Sequence, residues 1–368
     1  MKHTLVIIWT LATLCSVNNA CGTSSLNFAQ APRLLGSAVT VLQDEDIRFM
    51  HSLPNNRLLT IYKESDQDAV LGYKTTCAII DLGAGNILRS FEVNTGYDSA
   101  IAVSSDNEQL YIGTFPDSGI KAWDIETGEL LDTLVLQEPV VDGDDNGDND
   151  ITLQQVLYCT INNDHCLIAH NFKTCWIVNL RTGERSKFFD LNNDQDQDQI
   201  IRDLAFHDGC LLMLLLHNDS SRIQAFNLTT NAATTILNTE SHDNQILRMN
   251  IIGDSIIAKR GEDTPSTMVH NLITGETLDQ FIAPAEESED VFHSIQSLGN
   301  DHYIFLNENG VRIWSLREDE YWDFLDEAIK MLVVTADKTI ITLGEDGAIK
   351  RWSFAGDDDI SLEAMSLQ

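Results

Sequence analysis

One short pattern recurs seven times along the chain and constrains the fold more than any other feature. Each copy is an apolar stretch that ends in Asp, Asn or Ser and is followed by another apolar residue, often with Thr-Gly-Glu just beyond. The polar positions are Asp81, Asp124, Asn179, Asn227, Asn271, Ser315 and Ser353. A recurrence of this kind indicates one repeat domain, although 368 residues would suffice for two or three ordinary domains.

The intervals between these copies consist of short apolar or alternating segments separated by Asn, Asp, Gly and Ser, as expected of strands and tight turns. The clearest interval predicts strands at Ala100–Ser104, Gln109–Thr114, Ile120–Ile125 and Glu129–Leu136. A later interval predicts strands at Ile246–Ile252, Ser255–Lys259, Met268–Leu272 and Thr277–Ile282. Four strands in about 40–45 residues match one blade of a propeller. The sequence therefore predicts an all-β, seven-bladed β-propeller of four-stranded antiparallel blades over residues 27–356.

The last copy lacks a fourth strand. It offers Ala328–Thr335, Thr339–Leu343 and Ala348–Phe354, whereas Ser37–Leu42 stands unpaired before the first blade. We expect this N-terminal strand to join the last blade and close the ring, which would leave no exposed sheet edge. Residues 357–368 would then form an acidic C-terminal tail.

Two copies carry a resemblance to a known family. Gly119–Glu129, which reads GIKAWDIETGE, and Asp346–Ser353, which reads DGAIKRWS, resemble the WD-repeat family, and the pattern covers nearly the whole chain after its N-terminal segment. The Gly-His pair of that family is absent and, among the seven copies of the pattern, Trp-Asp occurs only at Trp123-Asp124, so the blades are expected to rely mainly on apolar packing. The resemblance implies a divergent WD-repeat propeller or a quinoprotein-like one, and a rigid scaffold for protein–protein interaction.

The net charge limits the kinds of partner that this protein can bind. With 57 acidic against 23 basic residues and a net charge of −34, the chain is unsuited to nucleic acid or anionic lipid. The acidic runs fall in the connections between blades and in the turns between second and third strands, which share one face of a propeller. We expect this acidic loop face to bind a protein partner with a basic surface. The candidate partner-binding residues are Asp194, Asp196, Asp198, Glu286, Glu287 and Glu289.

One loop has the spacing of a calcium ligand set. Oxygen-bearing side chains alternate around Gly147, and the candidate ligands are Asp142, Asp144, Asn146, Asp148 and Asp150. Leu153 stands where an EF-hand loop has its bidentate Glu, and no helices are expected to flank the loop. A solvated acidic loop is the favoured interpretation and calcium the alternative; no other cofactor is predicted.

The N-terminus has the layout of a secretory signal peptide over residues 1–20. Met1–His3 is basic, Thr4–Val17 is apolar or small, and Ala20 precedes Cys21. The predicted location is extracytoplasmic, with a cytoplasmic scaffold that keeps this segment as the alternative. Cys21 is a candidate for lipid attachment, although Asn18-Asn19 departs from a lipobox.

The sequence contains no Gly-x-Ser-x-Gly elbow, phosphate-binding Gly loop or His-Glu-x-x-His helix motif. His51, His293 and Arg248 fall on or near predicted inner strands, but packing explains such residues better than catalysis does. We therefore predict a non-catalytic, monomeric binding module. The alternative is an exported propeller enzyme of the quinoprotein-like dehydrogenase or hydrolase kind. Cys166 and Cys175, on predicted neighbouring strands, are expected to be buried thiols, with a disulfide as the alternative.

Overall fold

The computed structural model describes residues 34–39, 46–65, 73–93, 100–114, 119–136, 153–191, 198–230, 232–240, 245–260, 266–282, 295–299, 302–307, 310–315, 320–326 and 329–354. These residues form 28 strands in seven four-stranded antiparallel sheets, without an α-helix. The predicted all-β, seven-bladed propeller is thereby confirmed. The predicted signal peptide, Cys21 and the C-terminal tail lie outside the described residues. Within them no helix has the length and apolarity to cross a membrane.

The strands fall at regular intervals along the chain. Blade 7 begins with the N-terminal strand β1 (Leu34–Val39), and blade 1 follows with β2 (Asp46–Leu53), β3 (Arg57–Ser65), β4 (Tyr73–Asp81) and β5 (Asn86–Glu92). Blade 2 has β6 (Ile101–Val103), β7 (Gln109–Thr114), β8 (Gly119–Asp124) and β9 (Leu130–Val135), and blade 3 has β10 (Gln155–Ile161), β11 (Asp164–His170), β12 (Thr174–Asn179) and β13 (Arg185–Asp190). Blade 4 has β14 (Gln199–His207), β15 (Cys210–His217), β16 (Ser220–Asn227) and β17 (Ala232–Thr239).

The remaining blades continue the same order. Blade 5 has β18 (Ile246–Ile252), β19 (Ser255–Arg260), β20 (Ser266–Asn271) and β21 (Thr277–Ile282). Blade 6 has β22 (Gln296–Gly299), β23 (His302–Asn307), β24 (Gly310–Ser315) and β25 (Glu320–Asp326), and β26 (Ile329–Val334), β27 (Ile340–Gly344) and β28 (Ile349–Phe354) complete blade 7. We call the edge of a blade at which its first and third strands begin its upper edge, and the other its lower edge.

The N-terminal strand pairs as the sequence predicts. Antiparallel β1 and β28 run in register from Leu34 opposite Phe354 to Val39 opposite Ile349. The strand begins three residues before the predicted Ser37. Blade 7 is therefore assembled from strands near both ends of the chain, which confirms the expected joining of this strand to the last blade.

The chain divides into two compact units. In the unit that contains blades 2–5, buried apolar side chains fill the space between successive blades; Tyr111 and Trp176, for example, belong to the core shared by blades 2 and 3. Similar cores join blade 3 to blade 4 and blade 4 to blade 5. In the other unit, blade 7 packs against blade 1 through Ile341 and Ile80, and against blade 6 through Ile340 and Ile313.

The recurrent polar residue has a local structural role. Asn271 Oδ1 accepts hydrogen bonds from the backbone N–H groups of Ile273 and Thr274, both at 2.9 Å, in the turn from the third to the fourth strand. Asp81, Asn179 and Asn227 make the same pair of bonds. Asp124 makes one such bond, to Thr127. These side chains satisfy the turn backbone, an interaction that the expectation of mainly apolar packing left out.

Candidate functional site

Few of the predicted binding residues lie in the described part of the chain. Asp198 is exposed in the connection that leads into β14. The other five candidates of the acidic loop face, and all of the calcium candidates Asp142–Asp150, lie outside it. The described residues contain no group of acidic, His or Cys side chains arranged to hold a metal ion.

The residues predicted to lie on inner strands have different surroundings. His51, in β2, stacks on Phe49 with the ring centroids 6.3 Å apart and the planes 8° from parallel. His293 lies outside the described residues. Arg248 lies in β18 and interacts electrostatically with Asp203 of the preceding blade. Of the three, Arg248 thus belongs to a cluster of charged groups.

Asp203 is the centre of that cluster. A β-bulge between Ile201 and Asp203 interrupts the pairing of β14 with β15 at Arg202. Only 2% of Asp203 is exposed, and its Oδ2 accepts a hydrogen bond of 3.1 Å from the backbone N–H of Met249 in blade 5. Burial raises the pKa of Asp203 to about 6, although Arg248, the Met249 bond and Arg202 favour its charged form. The first strands of blades 4 and 5 therefore contain a buried carboxyl group flanked by two arginines.

Side-chain amides connect the first strands of successive blades. The Gln155 amide of blade 3 donates to Leu204 O at 3.0 Å and accepts from Leu204 N at 2.8 Å in blade 4. In the other unit, Gln296 of blade 6 donates to Leu332 O and accepts from the Val334 N–H of blade 7, both at 2.7 Å. Each amide uses a donor and an acceptor, so the backbones that it joins are fixed in relative position.

A second basic group lies where blades 3 and 4 adjoin. Lys173 Nζ donates to the backbone oxygen of Gln199 at 2.6 Å, and Arg222 Nη2 donates to Gln199 Oε1 at 3.3 Å. The backbone N–H of Ile201 donates to Phe172 O at 2.7 Å. These contacts place Lys173 and Arg222 around the start of β14, three residues before Arg202.

Several polar atoms near the upper edge of blades 3–5 have no hydrogen-bond partner. The buried Nε atoms of Arg202, Arg222 and Arg260, and Nε2 of Gln154, are unpartnered. Burial also lowers the pKa of Arg260 from its ordinary value. All four groups donate N–H bonds, so this edge is chemically suited to an acceptor such as a carboxylate or phosphate oxygen.

The arginines of this edge were not among the site residues predicted from the sequence. The signal was present in two consecutive blades, where Gln199-Ile-Ile-Arg202 and Gln245-Ile-Leu-Arg248 place Arg three residues after a Gln at the start of the first strand. The acidic runs nearby outweighed these few basic residues in the composition.

The lower edge of blades 2 and 3 contains a different polar group. Tyr158 Oη and His165 Nδ1 lie 2.6 Å apart, and Tyr158 also stacks against Tyr111. Asp164 accepts hydrogen bonds from Arg181 at 2.9 and 3.1 Å. Since each of these side chains has a partner within the blades, the arrangement is structural.

The two cysteines considered for a disulfide do not face one another. Cys166 lies opposite Asn179, and Cys175 lies opposite His170 in the pairing of β11 with β12. Both are free and buried, and burial raises the pKa of each thiol. The expectation of buried thiols is confirmed, and the alternative of a bridge between these residues is wrong.

Comparison with known proteins finds relatives by structure alone. No protein-family model and no curated protein matches the sequence. Among solved structures, BamB from Moraxella catarrhalis is 13% identical with a TM-score of 0.49, over 86% of this chain and 85% of that one. The Cps50 (Swd1) β-propeller domain of Myceliophteria thermophila is 11% identical with a TM-score of 0.55, over 84% of this chain and 100% of that one.

The likeness to the Swd1 domain concerns the fold alone. Together with the seven four-stranded blades, it defines the class of this protein as a β-propeller.

Proposed function

We propose that this protein is an exported, non-catalytic scaffold that binds a protein partner with a basic surface through its acidic loop face. The observation that carries the proposal is the difference between the connections at the two edges of the blades. Lower-edge turns are short and close on their own side chains, as at Asn227 and Asn271. The upper-edge connections contain the long acidic runs, including 138–150 and 286–290.

A rigid frame supports this role. The Gln155 and Gln296 side-chain amides and the Asp203 carboxyl group join the first strands of neighbouring blades. Loops attached to fixed strand ends present their charges in a constant arrangement, which favours specific docking. Carboxylates in such loops would accelerate encounter with a basic partner and make binding sensitive to salt.

Charge neutralisation tests the proposal. The test variant replaces Asp194, Asp196, Asp198, Glu286, Glu287 and Glu289 by Asn or Gln. The matched control neutralises the same number of exposed acidic residues at the lower edge, namely Glu108, Glu126, Glu129, Glu184, Asp208 and Glu276. Both variants, and the native chain, serve as bait for capture from the source cells, and binding of the captured partner is then measured over a salt series.

We expect the test variant to bind at least ~10-fold more weakly than the native chain at low salt, with the difference shrinking as salt screens the charges. The control should bind like the native protein. Equal loss in both variants would mean that net charge, and not the acidic loop face, determines binding. Unchanged binding in the test variant would refute the proposal.

A further inference from the structure

The three unpartnered guanidinium groups lie in one compact unit and at one edge of two consecutive blades. Arg202 and Arg222 belong to blade 4, and Arg260 ends the second strand of blade 5. Among the arginines that the structure describes, these are the ones with a buried Nε atom that lacks a hydrogen-bond partner. Each of the three lies in the half of its strand nearer the upper edge.

Strand pairing places Arg202 and Arg222 on the two strands that flank β15. Arg222 lies opposite Leu215, and Leu215 lies opposite Ile201, the residue before the Arg202 bulge. The two arginines are therefore separated by about two strand spacings, or ~9–10 Å between backbones. The Arg222 guanidinium reaches back toward β14, since its Nη2 donates to Gln199 Oε1 at 3.3 Å. Strand β15 lies between β14 and β16, so a ligand that contacts both guanidinium groups has to reach them over the upper edge of blade 4.

Arg260 belongs to the same stretch of the edge. It lies opposite Ile246 in the pairing of β18 with β19. The backbone N–H of Ile246 donates to Ser221 Oγ at 2.7 Å, and Ser221 directly precedes Arg222. Because Ser221 and Arg222 are successive residues of one strand, their side chains face opposite sides of blade 4. Arg260 therefore lies toward the side of blade 4 that faces blade 5, and Arg222 toward the side that faces blade 3.

The nearby Asp203 carboxyl group interacts electrostatically with Arg202 but accepts no hydrogen bond from these Nε atoms. Asp203 is buried, and its Oδ2 accepts the backbone N–H of Met249. A guanidinium presents its donors as a planar fork, in which an Nε–H and an Nη–H bind two oxygens of one anion side by side. Leaving a buried Nε–H without an acceptor is unfavourable, so a bound oxyanion would complete the edge.

We infer that the upper edge of blades 4 and 5 binds an oxyanion, the phosphate or carboxylate group of a small ligand, through Arg202 and Arg222, with Arg260 at its border. The inference goes beyond the proposed scaffold function, because it concerns an anionic ligand and the described strand ends. The acidic loop face would bind a basic partner and does not require these arginines.

Calorimetric titration of the full chain tests the inference. The probes are inorganic phosphate and, separately, citrate, in a low-salt buffer that contains neither. The variants are Arg202→Gln combined with Arg222→Gln, and Arg222→Lys, which keeps the charge but loses the fork. Arg185→Gln, at an exposed arginine where the fourth strand of blade 3 begins, is the matched control.

We expect saturable binding of at least one probe by the native chain and by Arg185→Gln. The double variant should bind at least ~10-fold more weakly, and Arg222→Lys should also lose affinity, since a point charge replaces a bidentate donor. Binding of phosphate alone would assign a phosphate site, and binding of both probes a general oxyanion site. Failure of both probes to bind the native chain, or equal binding by the double variant, would overturn the inference.

Two further measurements separate this result from trivial causes. Without ligand, the double variant should melt close to the native chain, because the two Nε donors that it removes have no partner and the Arg222–Gln199 hydrogen bond is long, at 3.3 Å; the single variants replace it if it fails to fold. Binding that appears only after Asp194→Asn and Asp196→Asn would show that the chain's own loop occupies the arginines, and would overturn the inference. If the double variant still binds a protein partner in a salt-sensitive way, the scaffold proposal stands whatever the result for the oxyanion site.

Discussion

The upper and lower edges of blades 2–5 are built from the same strands but differ in how completely their polar groups are paired. Of the described residues of these blades, every one with positive φ except Asn218 lies at the lower edge, in tight turns. Conversely, every buried side-chain N or O atom without a partner, except His270 Nε2, lies at the upper edge. At the lower edge the chain forms tight turns whose polar groups bond to one another. The upper edge contains side-chain N–H donors without a partner.

This difference predicts that changes at the two edges will have different effects on stability. Changes at the lower edge should destabilise the protein, because each one removes an interaction that the fold already uses. Changes to the side-chain donors without partners near the upper edge should affect stability little, because the fold does not use those N–H groups. This is the trade-off expected of binding sites.

The largest effect is expected at Gly275, in the turn between β20 and β21. Its φ is +70°, and a Cβ at this position would clash with the backbone oxygen of Ile236. Gly275→Ala should therefore lower the free energy of unfolding by ~3 kcal/mol, combining backbone strain with overpacking. Gly183→Ala is the control, because Gly183 has a φ of +69° but no atom within 4 Å of the added Cβ. Its expected loss is ~1 kcal/mol, from strain alone; equal losses in denaturant titrations would contradict the clash.

The next effect has the opposite sign and concerns the buried Asp203 carboxyl group, at the middle of β14. Burial raises the pKa of Asp203 from 3.8 to about 6, so the folded protein holds its proton more strongly than the unfolded chain does. At neutral pH both states are ionised, and the buried charge destabilises the fold by on the order of 2–3 kcal/mol. This destabilisation disappears as the pH falls through about 6 toward 3.8, where both states become protonated.

Asp203→Asn, which can still accept the Met249 hydrogen bond, should therefore be more stable than the native protein at pH ~7 by on the order of 2–3 kcal/mol. The difference should vanish near pH ~4. Denaturant titrations of both proteins at the two pH values measure it. If the difference did not change with pH, or if the variant were less stable at neutral pH, the buried Asp203 charge would not be what destabilises the fold.

A smaller effect is expected at the recurrent polar residue. Asn227 Oδ1 accepts hydrogen bonds of 3.0 and 2.9 Å from the backbone N–H groups of Thr229 and Thr230. Asn227→Ala leaves both donors to solvent and should lower the unfolding free energy by ~1 kcal/mol. Asn227→Asp keeps the acceptor and should lie near the native value. If the Ala and Asp variants were equally stable, the side chain would not stabilise the turn.

The sequence was sufficient for the fold because the repeat signal is local. Asp124 and Asn271 mark turns whose chemistry is contained within a few residues, and the strands at Gln109–Thr114 and Thr277–Ile282 were predicted with the observed bounds. The missing fourth strand of blade 7 followed from counting alone.

The site was harder to predict because it depends on contacts between distant residues. Whether Arg202 is paired depends on a bulge in β14, and the surroundings of Asp203 depend on Met249, 46 residues away. Strand periodicity assigns side chains to alternate faces but does not predict a bulge, and composition records the acidic excess without showing which arginines remain unpaired.

The pairing of β1 with β28 has a consequence for how the protein is made. Val39 and Ile349 are about 310 positions apart, so at ~5–20 residues per second β1 leaves the ribosome roughly 15–60 s before its partner strand is synthesised. Throughout that interval the first strand has no edge to join, while other blades can already form. Blade 7 must therefore be among the last parts of the protein to assemble, and a ribosome that stalls before β28 would release a chain with an unfilled sheet open to other proteins.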